Sequence, residues 1–539
     1  MSIPHSVLAG GWIPFVVVVV LTFLFAWVYI RLFQHHELSE VSSTLTSVFA
    51  LFVTLLTSAL VPVDVFLVSF MKDTNGAFKN WAVDNSSRTS IENTVTYTYY
   101  TLYGLVSVFI FLLLPFMYFY YEEKDDDDVN TKQRCCSALK FTAVFMLLAA
   151  VILTTGALVP LKKPYNVTSI DGKFEFLKEQ LETYSNAEKA MSVLVGVLSM
   201  FGMLSLIMYT GYGMSALPLG MIRCGKRYKE SNETENTRKL TKRERDDEKA
   251  RMLRAKSRAG RNLTRFERNE LRRIEQDENL RHRLERKKIK GESSCCGKIL
   301  LMLKPFQVVF GIVFLSISLL IMISLTITSI DKAMNSLGAR HGYALPQPKL
   351  PNPVNIIMVH AQKVFPLDYI LFTGMTLFFI FASMNGIKRI GIWCCCIKMF
   401  KIRTRRTMPQ ALLFMVFIMM FMVLALNIVL FTITPQYVQY GNQKYAFKNG
   451  TQVVEVKSCT TNAPSGDCVM SSVATILNTL FYKAWFFGAF YYWSIWAFIA
   501  TYMIAFIYNL YNICRTRREE EMLSSDDDSD SETERLVNA

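Results

Sequence analysis

Runs of about 20 apolar residues recur along this chain between charged blocks, each long enough to cross a hydrocarbon core of roughly 30 Å as a helix. Backbone amides have no water to bond in lipid, so such runs must be helical. Nine runs are recognised, at about 12–33, 41–63, 99–121, 141–161, 191–212, 306–330, 366–384, 411–433 and 484–510. Only 19% of the residues are charged, against roughly 25% in soluble proteins. Together these features exclude a soluble enzyme, a disordered chain and a disulfide-stapled secreted domain. The expected fold is an all-α, polytopic helical membrane protein of about nine transmembrane helices with a charged cytosolic helical hairpin. The formal charge of +15 then needs no nucleic-acid partner, because cytosolic loops of membrane proteins are rich in Lys and Arg.

The distribution of charge orients the chain. Most of the 59 Lys and Arg fall on one side, with Lys398, Lys401, Arg403, Arg405 and Arg406 crowded into one short loop. The positive-inside rule makes that side cytosolic, so the N-terminus is expected in the lumen and the C-terminus in the cytosol. The first run lacks a preceding basic residue and a following small-residue cleavage site, and is read as an uncleaved span. Four segments result: 1–212, a first membrane block of five spans; 213–304, a basic cytosolic helical loop; 305–511, a second block of four spans; and 512–539, an acidic disordered cytosolic tail.

Two further patterns bear on orientation. Sequons at Asn85, Asn166 and Asn449 fall in expected lumenal loops, whereas those at Asn232 and Asn262 fall in the cytosolic loop and should stay unmodified. Of 11 Cys, only Cys459 and Cys468 are expected in the lumen, in one loop, and a disulfide is expected between them. The cytosolic doublets and the triplet Cys394, Cys395 and Cys396 lack zinc-ligand spacing. They stand beside spans, as sites of S-palmitoylation do, with inert thiols as the alternative.

The central loop carries Met252, Leu253, Leu263, Phe266, Leu271, Ile274, Leu280 and Leu284 at helical intervals in a Lys/Arg/Glu-rich background. Two helices parted near Gly260 are expected. They form either a solvated spacer or a docking arm for a cytosolic partner or for membrane lipid with anionic headgroups. The tail sets Ser524 and Ser525 before acidic residues, as phosphorylation by an acidophilic kinase requires, and Glu519 to Leu523 only faintly matches an acidic dileucine signal.

Catalytic signatures are weak. Residues 220–227 approach a phosphate-binding loop, but Arg227 stands where magnesium needs Ser or Thr, and an apolar run precedes. It reads as a membrane-exit turn, with no ATPase of the chain's own. No His-Glu-x-x-His motif occurs, and no metal site or enzyme activity is expected. Two acids draw more attention. Asp64 in Leu60-Val61-Pro62-Val63-Asp64 and Asp368 in Val364-Phe365-Pro366-Leu367-Asp368 repeat one pattern near span ends. Intramembrane acids and broken-helix repeats mark functional sites in transporters. The plainer reading is that both cap helix ends at the lumenal surface.

Several segments carry a family resemblance. They are residues 40–70 (with Thr57-Ser58-Ala59-Leu60 and Pro62-Val63-Asp64), the Tyr-rich and acidic 118–128, Gly211-Tyr-Gly-Met-Ser-Ala-Leu-Pro-Leu219, 364–371 and 409–414. They resemble the limb-region/lipocalin-receptor-like family of membrane proteins across nearly every span. The resemblance implies a nine-span glycoprotein of the lysosomal membrane, passing through the endoplasmic reticulum and also reaching the plasma membrane. It implies an escort that brings an ABC transporter to the lysosome and, with a cytosolic cobalamin-processing chaperone, supports cobalamin export. A role in clathrin-dependent uptake of the insulin receptor, through a clathrin adaptor, is implied as well. Cobalamin enters as transported ligand, and no binding residue for it carries over. The competing reading is a plasma-membrane receptor or endocytic adaptor that captures ligand with loops 332–363 and 435–483; an autonomous secondary transporter is a third.

Overall fold

The structure is a computed structural model of the 539-residue chain. It describes residues 5–35, 40–73, 75–123, 131–158, 190–222 and 306–537, the last with short breaks at 340–341, 344, 346–347, 362–363, 365, 395–396, 401, 403–406, 450–451, 460–462, 464–466 and 484. The charged loop read as a helical hairpin lies outside the described residues, as do Asn166, Cys395 and Cys396. The chain divides into two compact units, one of residues 1–216 with 317–508 and one of 217–316 with 509–539.

Nine helices among the described residues are long and apolar enough to cross a membrane. They lie in α1 (His5–Phe33), α2 (Val41–Phe70), α3 (Asn85–Val108) with α4 (Leu114–Glu122), α5 (Thr131–Leu158), α6 (Ala190–Ile222), α7 (Gln307–Asn335), α9 (Leu367–Ile390), α10 (Pro409–Ile433) and α13 (Trp485–Val537). A short helix, α8 (Pro353–Ala361), precedes α9, and α11 (Pro435–Tyr440) and α12 (Ser472–Lys483) follow α10. The architecture is that of a polytopic helical membrane protein.

Helix ends differ from the apolar limits for local reasons. α2 continues through Pro62 to Phe70, since one proline removes a single backbone bond. α3 starts at Asn85, where the Asp84 side chain accepts from the Ser86 N–H at 3.2 Å, an N-cap that begins a helix in polar sequence. Between α3 and α4, residues Phe109–Leu113 form a π-helix. Pro115 has no N–H to return to Phe111, and the widened turn before it accommodates that loss. α9 ends where Gly391 adopts φ 83°, a conformation glycine takes without penalty. α13 continues helical to Val537, through the acidic stretch that composition reads as disordered; no Gly or Pro lies in residues 511–537.

In the first unit, α10 is the centre. Of its apolar stretch, 83% is buried inside the protein, against 11% for α5 and 17% for α1, so α10 is core and α5 and α1 are rim. α10 carries no Asp, Glu, Lys or Arg. α6 and α9 cross closely enough that a Cβ at Gly213 would collide with the Ala382 carbonyl, and one at Gly386 with the Tyr209 carbonyl. Small residues let helix backbones meet in this way where lipid supplies no hydrophobic drive. In the second unit, the end of α6 packs Ile222 and Pro218 against Gly311 at the start of α7.

Two small antiparallel hairpins add β-structure to this helical chain: β1 (Ile392–Cys394) with β2 (Ile397–Phe400), and β3 (Lys444–Asn449) with β4 (Gln452–Ser458). In the second, Asn449 pairs with Gln452 across the turn.

Candidate functional site in the cap of the bundle

The described residues of 71–84, 336–366 and 434–483 pack together as a cap over the ends of α2, α9 and α10, and both acids singled out from sequence sit beneath it. Asp64 is 1% exposed. One carboxylate oxygen accepts from the Ser472 N–H at 3.3 Å, and the other from the Val473 N–H at 2.9 Å. These are the first residues of α12, where a helix has unpaired N–H groups and partial positive charge. Asp64 thus caps a distant helix rather than its own. The Ser471 hydroxyl donates to the Val438 carbonyl at 2.6 Å and holds the same helix start against α11.

Asp368 lies in the first turn of α9, also buried, and accepts from the Tyr437 hydroxyl at 3.2 Å. Burial pushes the Tyr437 hydroxyl well above the usual tyrosine range, and the Asp368 carboxylate adds to the effect. Tyr440, on the same short helix, is pushed up to about 12 by burial. The two acidic motifs are neighbours in space, because Phe66 packs edge-on against Tyr369 with ring centroids 5.0 Å apart. Each acid is occupied by a bond to the cap.

A second set of bonds fastens the cap, and it carries no sequence motif. The Asn352 amide donates to Thr328 Oγ1 at 2.8 Å and to the Ile433 carbonyl at 2.7 Å, and its oxygen accepts from the Ser324 hydroxyl. Asp331 accepts from the Lys349 N–H at 2.9 Å and from Asn335 Nδ2 at 2.7 Å. Buried polar groups in such a setting are costly unless bonded, and the bonds of Asn352 and of the Lys349 N–H tie the 336–366 segment to α7 and α10.

Cys459 and Cys468 form a disulfide. Gln443, 2% exposed, holds the bridged loop at both ends. Its carbonyl accepts from the Cys459 N–H at 2.9 Å, and its side-chain oxygen accepts from the Val469 N–H at 3.0 Å. Lys72 Nζ donates to the Asp467 carbonyl and lies 4.6 Å from the centre of the Phe78 ring. Burial holds the Lys72 ammonium below its ordinary pKa, with the Asp467 carboxylate opposing that shift.

The remaining residues singled out from sequence make none of these bonds. Asn85 opens α3 and Asn449 ends β3 at the hairpin tip. Cys394 ends β1, and Ser524 and Ser525 fall on α13. Among the described residues, no group of three or more His, Cys, Asp or Glu is placed to hold a metal ion. The cap geometry is that of a scaffold, with side chains used to position backbone rather than to present reactive atoms.

Residues 11–291 match the family described as LMBR1-like membrane protein. The chain is 47% identical to a protein of Nematostella vectensis named probable lysosomal cobalamin transporter, covering 99% of each chain. It is 40% identical to the lysosomal cobalamin transport escort protein LMBD1 of Xenopus laevis over 98% of each chain, and 39% identical to that of Danio rerio over 99% of each. No solved structure matches the chain. On the family match and on these near full-length identities, the chain belongs to the LMBR1-like membrane proteins.

Proposed function

We propose that this protein is an escort and partner subunit of the lysosomal membrane, which brings an ABC transporter to the lysosome and works with it in cobalamin export to the cytosol. The observation that carries this reading is end-to-end similarity, at 39–47% identity, to relatives whose names state lysosomal cobalamin transport or its escort. The bundle supports a partner role over an autonomous carrier. Its central helix α10 has no ionisable side chain, and both acids near span ends are engaged by the cap. Substrate pathways through membranes are normally marked by polar groups facing a cavity. In this reading the cap and its disulfide face the lumen, and the basic loops meet a cytosolic cobalamin-processing chaperone.

The test is the distribution of labelled cobalamin in cells lacking this protein, with lysosomes isolated and the transporter located in the same sample. Free cobalamin trapped in lysosomes, with the transporter held in the endoplasmic reticulum, is expected. Trapped cobalamin with a correctly placed transporter would shift the role from escort to direct participation. Normal distribution would overturn the proposal.

A further inference from the structure

The cap is joined to the spans through a group that can change charge. Asp64 meets the first two N–H groups of α12 with one carboxylate oxygen each. A carboxylate accepts at both oxygens, and its charge suits the positive end of a helix. A protonated acid loses that charge and turns one oxygen into a donor that faces an N–H. We propose that Asp64 is a proton-binding latch: ionised, it holds the start of α12 in the cap, and protonated, it lets that helix start go.

The surroundings leave the latch to this one side chain. On α3, Glu92 and Tyr99 face Asp64, with Tyr103 one turn further along. α11 brings Tyr437 and Tyr440, and α9 brings Asp368 and Tyr369, but the Asp368 carboxylate bonds Tyr437 of α11 and not the start of α12. α10 brings no titratable group, nor do residues 472–478 of α12. Glu92 is therefore the other carboxylate facing the site whose protonation could be mistaken for that of Asp64. Release would pass along the chain, because Ser472 follows Cys468 of the bridged loop by four positions. The latch rests on this geometry whichever compartment the cap faces; the proposed lysosomal lumen would supply the acid.

Hydrogen exchange measured by mass spectrometry on the full-length protein in lipid nanodiscs tests the latch. Rates for peptides covering residues 469–483 are corrected for the intrinsic pH dependence of exchange. Losing a charge-assisted bond should speed corrected exchange there about tenfold or more between about pH 7.5 and about pH 4.5. Asp64→Asn should show the fast rate at every pH, and Glu92→Gln should keep the wild-type profile. A flat wild-type profile, a profile retained in Asp64→Asn, or one lost in Glu92→Gln would each overturn the latch. If Asp64→Asn yields no folded protein, Asp64→Glu decides: a displaced midpoint supports the latch and an unchanged one refutes it. None of these outcomes depends on where the protein resides in the cell.

Discussion

Gln443 grips Val469 with both ends of one side-chain amide: Oε1 accepts from the Val469 N–H at 3.0 Å, and Nε2 donates to the Val469 carbonyl at 2.6 Å. The pairing copies a backbone ladder and anchors the segment just past the disulfide. Gln443→Leu should leave both Val469 groups without this partner, at about 1–3 kcal/mol per buried unsatisfied group. Limited proteolysis of the purified protein should show faster cleavage within 459–469, with the membrane helices still resistant. Equal cleavage in both proteins would mean the loop is held by something else.

The bridge between Cys459 and Cys468 closes a short loop, and such a bridge contributes about 2–3 kcal/mol in the chain-entropy model. Cys459→Ser is expected to lower the melting temperature of the cap and to abolish the mobility change that reduction and alkylation produce on a gel. A mobility change that survives in the variant would assign the bridge to other cysteines.

The crossing of α6 and α9 gives a cleaner packing test. Gly213→Ala and Gly386→Ala each force a Cβ into a facing carbonyl, and overpacking of this kind costs about 1–3 kcal/mol. Gly374 has nothing near its would-be Cβ, so Gly374→Ala should be neutral or stabilising by up to about 1 kcal/mol. Thermal melting followed by fluorescence-detected size exclusion should rank both crossing variants below wild type and Gly374→Ala at or above it.

Orientation is tested by glycan mass. Asn85→Gln, Asn166→Gln and Asn449→Gln are each expected to remove one glycosidase-sensitive step in electrophoretic mobility, while Asn232→Gln and Asn262→Gln leave mobility unchanged. Asn449 ends β3, paired in register with Gln452 of β4. A step lost from Asn232 or Asn262 would reverse the topology.

How much of this could be read from residues alone follows from the range of each interaction. An apolar run is a local property, so the nine spans were legible and only their ends moved. The ends moved where polar sequence keeps a helix going, as at Asn85, where Asp84 supplies the cap. The repeated Pro-x-Asp motif was legible as a pattern, and its place near span ends followed from the flanking apolar residues. What those acids bond to was not. Gln443, Asn352 and Asp331 carry no motif, and a lone Gln or Asn in a loop gives no sign that it will be buried.

The covalent order of apolar and charged residues by itself determined that this chain is a bundle of membrane helices, because satisfying the backbone in lipid allows little else. Only the tertiary structure decided that Asp64 caps a helix 409 residues further along, and that α10 rather than another equally apolar helix lies at the centre. Helical periodicity specifies which residues share a face, but not which partner that face meets. The partner is selected when close backbone approach at Gly213 and Gly386, and the pairing of buried polar groups, leave one arrangement that satisfies both.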